Sequence, residues 1–314
     1  VAHAGREEEV LTIFRKWELP AIVIGQVTSE PFLEIRRHGR VEARLNPHHL
    51  ADECPTYHSV ATPSPEFLAR ANFDPTSVKV PDLHQALLTL LAHPDVASKR
   101  AIFEQYDRHV QTQTIVDAGQ GDAAVLHPDG TDVAVALTID GNSRWTEAHP
   151  RRGGRLAVAE AARNIACSGG CSLAITDGLN FGSPEDPHVF YHFREAVLGI
   201  AEAADAMGTP VISGNVSLRN ESEQDGVKRA IPATPLVGMV GLIADPARVR
   251  SARPVEGDTV YLLDAGDQGS EHGGLGASLL LSAVLGREDG YPDDPDLGAE
   301  RRLGELLAAL PSGP

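Results

Sequence analysis

The sequence predicts an α+β protein, a mixed α/β chain, on three observations. Apolar residues recur at helical spacing in some segments and as short β-branched runs in others, in an order that interleaves the two. Hydrophobic residues are 42% of 314 and charged residues 23%, enough to bury a large core in two or more domains and too apolar for a disordered chain. The 30 glycines and 22 prolines follow no fixed period, which excludes collagen-like and low-complexity architectures and predicts many turns.

Residues 7–17 place Val10, Leu11, Phe14 and Trp17 on one helical face, with glutamates at the start where the helix dipole favours them. Residues 21–27, 32–35 and 41–45 read as short strands separated by turn residues such as His38-Gly39. Residues 61–81 hold Pro63, Pro65, Pro75 and Pro81 with few apolar pairs, the composition of an extended connector, and a boundary is placed there. Helices are expected over 83–91 and 99–107, then strands over 123–126 and 133–139. Residues 156–166 repeat alanine, valine and isoleucine at helical spacing and stop at Gly169-Gly170. A strand over 172–176, a long amphipathic helix over 189–207, a strand over 210–213 and a β-rich stretch over 235–243 follow. After a proline break near Pro246 and Pro254, a strand over 259–263 and helices over 275–285 and 299–310 close the sequence.

The 27 basic and 44 acidic residues give a net charge of −17, which repels nucleic-acid backbones and anionic lipid surfaces over a Debye length of about 8 Å. Neither partner is expected. A small phosphate ligand is a different matter, because backbone amides and a bound cation hold it locally. Three cysteines, Cys54, Cys167 and Cys171, fit a reducing cytoplasm and not a disulfide framework. No apolar run reaches the ~20 residues of a bilayer span, and residues 235–244 are too short. An opening without methionine or a signal pattern suggests a piece of something longer.

Two segments follow apolar strands and could carry chemistry. In Thr176-Asp177-Gly178-Leu179-Asn180-Phe181-Gly182, Asp177 suits a ribose, a water or a metal ion, although spacing alone favours an Asx-type turn capped by glycine. In Ser213-Gly214-Asn215-Val216-Ser217, Gly214 would let a phosphate approach the backbone, Asn215 offers an uncharged oxygen to a hard cation, and Ser217 adds a hydroxyl. A glycine bulge explains the same residues. Asp140-Gly141-Asn142 reads as a hairpin turn, and the arginine of Arg163-Asn164, near a helix end, suits a phosphate but reads better as an ordinary dipole partner. Cys167, Cys171, His188 and His192 approach zinc-finger spacing, but the intervening stretch holds the Asp177 segment and leads into a long helix, so a zinc knuckle is rejected.

Taken together, Glu104-Gln105-Tyr106-Asp107, Asp140-Gly141-Asn142, residues 159–164 and the two segments above resemble the second half of phosphoribosylformylglycinamidine synthase. The likeness runs from about Val10 to Asp264 and fades beyond Gly266. The resemblance implies an aminoimidazole ribonucleotide synthase-like fold, with a barrel-forming N-terminal-type domain flanked by partial α+β C-terminal-type domains. Residues 1–62 would end the first C-terminal-type domain and 63–98 would be linker and helix. Residues 99–247 would form the second, ATP-binding barrel domain, and 255–314 would begin a second, truncated C-terminal-type domain.

The family uses ATP to phosphorylate the amide oxygen of formylglycinamide ribonucleotide, and ammonia then displaces phosphate to give the amidine. By the same resemblance Asp177 and Gly214 contact ATP, Asn215 ligates magnesium, and Ser217 touches the ribonucleotide. It further implies a cytoplasmic setting in purine biosynthesis, a glutaminase subunit, a small accessory subunit, and either a missing N-terminal half or self-association. Gly178, Ser183 and Arg219 depart from the family's usual cysteine, asparagine and tyrosine. Its proton-accepting histidine lies in a His-Asn-His-Pro-like stretch, whereas His93, His127 and His149 precede proline outside any such motif, so no catalytic residue is assigned. The alternative is a non-catalytic nucleotide-binding or scaffold module of the same fold that pairs with another subunit. Both readings require the segments 176–182 and 213–217 to come together.

Overall fold

The computed structural model describes residues 1–80, 82–251, 254–264 and 273–310. Pro81 of the expected connector, Gly266 and parts of the range 255–314 lie outside the described residues. Contacts divide the chain into Val1–His58 and Ser59–Pro314.

The first unit holds helix α1 (Glu7–Lys16), an antiparallel pair β1 (Leu33–Arg37) and β2 (Arg40–Leu45), and a short helix α2 (Pro47–Ala51). Three glutamates in the first turn of α1 and Arg15 and Lys16 in its last complement the helix dipole. The strand expected over 21–27 does not form. Its β-branched residues Ile22, Val23, Ile24 and Val27 are exposed, and no strand among the described residues offers them a ladder. Propensity without a pairing partner makes no strand.

The second unit contains helices α3 (Pro65–Arg70), α4 (Leu83–Ala92) and α5 (Arg100–Phe103) before its sheet begins. Strands β3 (Thr114–Val116), β4 (Ala124–Leu126) and β5 (Ala134–Asp140) lead to helices α6 (Ser143–Ala148) and α7 (Pro150–Cys167). Then come β6 (Cys171–Asn180), α8 (Pro187–Met207), β7 (Val211–Ser217), the hairpin β8 (Glu221–Gln224) and β9 (Val227–Ala230), and β10 (Thr234–Ile243). A π-turn over Leu280–Val284 and helix α9 (Leu297–Ala309) complete it. The mixed α/β expectation is borne out.

The central sheet has the order β3-β4-β5-β10-β6-β7, antiparallel except for the β6–β7 pair. Alternation along β5 and β10 buries Ala134, Ala136, Thr138, Val237, Met239 and Ile243 on the face shared with Ile175 of β6. Against that face lie Val158, Ala161 and Ile165 of α7 and Ala196, Ile200 and Ala203 of α8, forming one core. The two helices approach closely because both carry glycine at the crossing. A Cβ on Gly154 would collide with the Ala196 carbonyl, and one on Gly199 with the Arg151 carbonyl. Gly208, at φ 69°, ends α8 in a left-handed cap. The opposite face of the sheet is open, with Leu137 and Ile139 exposed.

Several expectations are corrected. The stretch 61–80 is not simply extended: Ser64 caps α3, whose Phe67 is buried in an aromatic cluster. Ring centroids lie 5.5 Å away at His149 and 5.3 Å at Tyr291, and the Tyr291 hydroxyl donates to the Phe67 carbonyl. Pro65 therefore takes the first position of a helix. Helix α5 is one turn, shorter than 99–107. Residues 259–263 carry no strand, and 275–285 form turns and a π-turn in place of an α-helix, interrupted by Ala277 at φ 53°.

Candidate functional site

Most of the first predicted segment (176–180) and all of the second (213–217) are strand. β6 continues four residues past the expected end at Thr176, because β10 supplies ladder partners all the way: Val237 opposite Asp177, Leu236 opposite Gly178 and Thr234 opposite Asn180. β7 likewise runs through Gly214, Asn215 and Ser217. The two segments do come together, as neighbours in parallel register. Asp177 pairs with Gly214, Gly178 with Asn215, and Asn180 with Ser217.

The side-chain period of two decides what each residue faces. Asp177 and Gly214 share the helix-covered face, where a Cβ at 214 would collide with Asp177 Oδ1. The carboxylate thus lies over bare backbone, a cradle that a side chain would fill. Burial pushes the Asp177 carboxyl above its ordinary value. Asn215 and Ser217 alternate to the other face, beside Ser213, whose hydroxyl donates to Thr176 Oγ1 at 2.7 Å. Asn215 is exposed, and the Ser217 hydroxyl is held by Asn220 at 3.2 Å. Among the described residues β7 is the outermost strand of its sheet, so Gly214, Asn215 and Ser217 lie on its free edge.

Across the sheet the same row continues from Asp177 through Val237 to Asp140, roughly two strand spacings or about 9.5 Å away. Asp140-Gly141-Asn142 is not a hairpin turn. Asp140 ends β5, and the Asn142 side chain accepts from the Arg144 and Trp145 amides as the N-cap of α6. Asn164 Nδ2 donates to Asp140 Oδ1 at 2.7 Å, while Thr138 donates to the other oxygen. Arg163 turns instead to Glu300 of α9, 2.7 Å away. Sequence reasoning missed this Asp140–Glu160–Asn164 group. The available signal was Glu160 and Asn164 four apart on one helix, hence on one face.

A cleft of about 710 Å³ opens beside Asp140, lined among others by Asn142, Arg144, Trp145, Glu160 and Asp293. None of the four predicted residues lines it. The rejected zinc set is spread over other roles: both ring nitrogens of His192 face carbonyls, those of His188 and Glu147, and His188 Nδ1 faces the Thr62 carbonyl. Among the described residues, no helix is long and apolar enough to cross a membrane.

An open, mostly antiparallel sheet backed by two crossing helices, with a polar row at one end, is the class of domain that comparison with known proteins defines. Residues 120–243 match the family described as AIR synthase related protein, N-terminal domain. Over its whole length the chain is a homologue of phosphoribosylformylglycinamidine synthase subunit PurL. It is 43% identical to the subunit from Alkaliphilus metalliredigens over 316 residues, covering all of this chain and 42% of the relative. It is 44% identical to that from Thermomicrobium roseum, covering 94% of this chain and 40% of the relative. The chain thus spans about two fifths of the curated relatives it matches. Among solved structures, Thermotoga maritima PurL complexed with ATP superposes with a TM-score of 0.58 at 27% identity, covering 78% of this chain and 37% of that one. The same protein complexed with FGAR gives 0.58 and 27%, covering 80% and 36%.

Proposed function

We propose that this chain supplies part of the nucleotide site of an ATP-dependent carbon–nitrogen ligase. The reaction converts formylglycinamide ribonucleotide to the amidine in purine biosynthesis. What supports this reading above all is the cradle at Asp177 and Gly214, since the corresponding segments belong to relatives named for that synthase and to a neighbour solved with ATP. In this reading Asp177 and the Gly214 backbone contact ATP, Asn215 gives its amide oxygen to magnesium, and Ser217 touches the ribonucleotide. Because Asn215 and Ser217 face away from Asp177, a ligand that meets all four comes round the free edge of β7. Magnesium, when bound, would neutralise charge on the transferred phosphoryl group. The chain's own residues bind and orient; none is assigned the proton transfer.

The domain reading follows the same proposal: 99–247 as the ATP-binding barrel domain, 1–62 and 255–314 as pieces of C-terminal-type domains, and 63–98 as the connection. Turnover then needs the remaining three fifths of the synthase, with glutaminase and small accessory subunits as further partners in the cytoplasm. A second reading, a scaffold module that pairs with another subunit, is favoured by the open sheet face, where Leu137 is 39% and Ile139 77% exposed.

Thermal unfolding with and without magnesium-ATP tests the proposal. Nucleotide at a hundredfold excess over Kd is expected to stabilise the chain by about 2.7 kcal/mol. Asp177→Ala and Asn215→Leu should each abolish most of that gain. A parent chain whose Tm ignores magnesium-ATP would overturn the ligase reading and leave the scaffold one.

A further inference from the structure

Helix α7 presents Glu160, Arg163 and Asn164 within two turns beside the end of β5. Asn164 fixes the Asp140 carboxylate, and Arg163 is the cation whose field acts on both Asp140 and Glu160. Yet the Arg163 guanidinium does not hydrogen-bond either of them. Its Nη1 meets Glu300 Oε1 at 2.7 Å, on α9, which lies more than a hundred residues later in the chain. The Glu300 side chain is only 9% exposed, and among the described residues its second oxygen, Oε2, finds no hydrogen-bond partner. A buried, half-satisfied carboxylate is expensive to keep, and hydrogen bonding to Arg163 compensates only one of its oxygens.

Three substantially buried carboxylates from three elements therefore share one guanidinium. Asp140 is faced by Thr138 of its own strand, by Glu160, Arg163 and Asn164 of α7, and lies in the cross-strand row of Asp177. Glu160 is faced by Asp140 and Arg163. Glu300 is faced by Arg163, with Asp264 and Asp296 adding negative potential. Desolvation works against the charged form of all three, and Arg163 opposes it at all three.

We propose that Glu300 is a positioning residue. By holding the Arg163 guanidinium toward α9, it sets how much of that positive charge reaches Asp140 and Glu160, and so couples docking of the C-terminal helix to the charge at this end of the sheet. By linkage the coupling is reciprocal: whatever alters the charge on Asp140 and Glu160 alters the docking of α9 by the same free energy. The inference stands on this chain's own side chains, and its test uses no nucleotide, so its failure is distinguishable from failure of the ligase reading.

The test is a carboxyl ¹³C NMR titration of Asp140 and Glu160 in the full chain, carried through a double-mutant cycle. Glu300→Gln keeps the shape, removes the competing charge, and is expected to lower both midpoints by ~0.5 pH unit or more. Arg163→Gln is expected to raise them. In the Arg163→Gln background, Glu300→Gln should lose at least half its effect, because it acts through Arg163. A role confined to holding the helices together would lower Tm in both variants without moving the midpoints in opposite directions. Should Arg163→Gln fail to fold, Arg163→Met, which keeps the apolar stem and removes the charge, replaces it in the cycle, and the Glu300→Gln shift is again expected to fall by half. Unmoved midpoints in Glu300→Gln, or a shift undiminished when Arg163 is changed, overturn the proposal.

Discussion

Asp177 and Gly214 face each other across the parallel pair β6–β7, with the carboxylate lying where any side chain at 214 would stand. That relationship makes Gly214 a steric requirement of the ladder, independent of any ligand.

Gly214→Ala should therefore move Asp177 or open the strand pair. Overpacking of this kind typically costs about 1–3 kcal/mol. Urea unfolding is expected to show that loss, and calorimetry to show weakened magnesium-ATP binding beyond what the stability loss explains. Wild-type stability in Gly214→Ala would mean that Asp177 does not occupy the space over residue 214.

The helix crossing makes a stronger demand. At Gly199 the added methyl meets the rigid Arg151 carbonyl, not a flexible side chain. Gly199→Ala is expected to cost about 3 kcal/mol or more, read as a fall in Tm, whereas Ala201, on the exposed side of the same helix, should tolerate serine within about 0.5 kcal/mol.

The sequence made the helices of the core and the strands β5 and β10 readable, because one period of 3.6 and one of two run unbroken through them. What it could not reveal is pairing. Glycine and asparagine in 176–182 suggest a turn, yet β10, more than fifty residues on, hydrogen-bonds the segment as far as Asn180 and keeps it extended. The converse holds at 21–27, where strand-like residues have no ladder to join. For the site, the residue types were legible and their juxtaposition was required by the argument. Their division between two faces of the sheet was hidden, since it follows only once the segments are strands.

Acid stability should depend on His149. Burial, with Arg152 nearby as the next cause, pushes its imidazole down to about 4 from an ordinary 6.5. The folded chain therefore refuses a proton that the unfolded chain accepts between those values. Its contribution is complete above pH 6.5 and is lost as the pH falls toward 4. Between pH 7 and 5 the loss is about 1–2 kcal/mol after allowance for partial screening. Because His149 Nδ1 accepts the Arg152 amide as the cap of α7, His149→Asn can keep the cap without titrating. Urea midpoints measured at both pH values should show a shallower decline in that variant; equal slopes would contradict the assignment.

The open face of the sheet should make the chain self-associate. Light scattering is expected to give a concentration-dependent mass, and Ile139→Glu to reduce it while leaving Tm within about 0.5 kcal/mol equivalent, since that side chain is 77% exposed. A monodisperse monomer in the parent would remove the support for a pairing surface here.

The single parallel pairing in the sheet has a consequence in time. β7 reaches β6 only after the chain has left the sheet, built the 21-residue α8 and returned, so Asp177 and Gly214 become neighbours through a long loop closure and not a hairpin. β3, β4 and β5 pair with near neighbours in sequence, whereas the row Asp140, Asp177 and Gly214 depends on the more distant β10 and on the crossover through α8, so it is expected to form later than the local pairs.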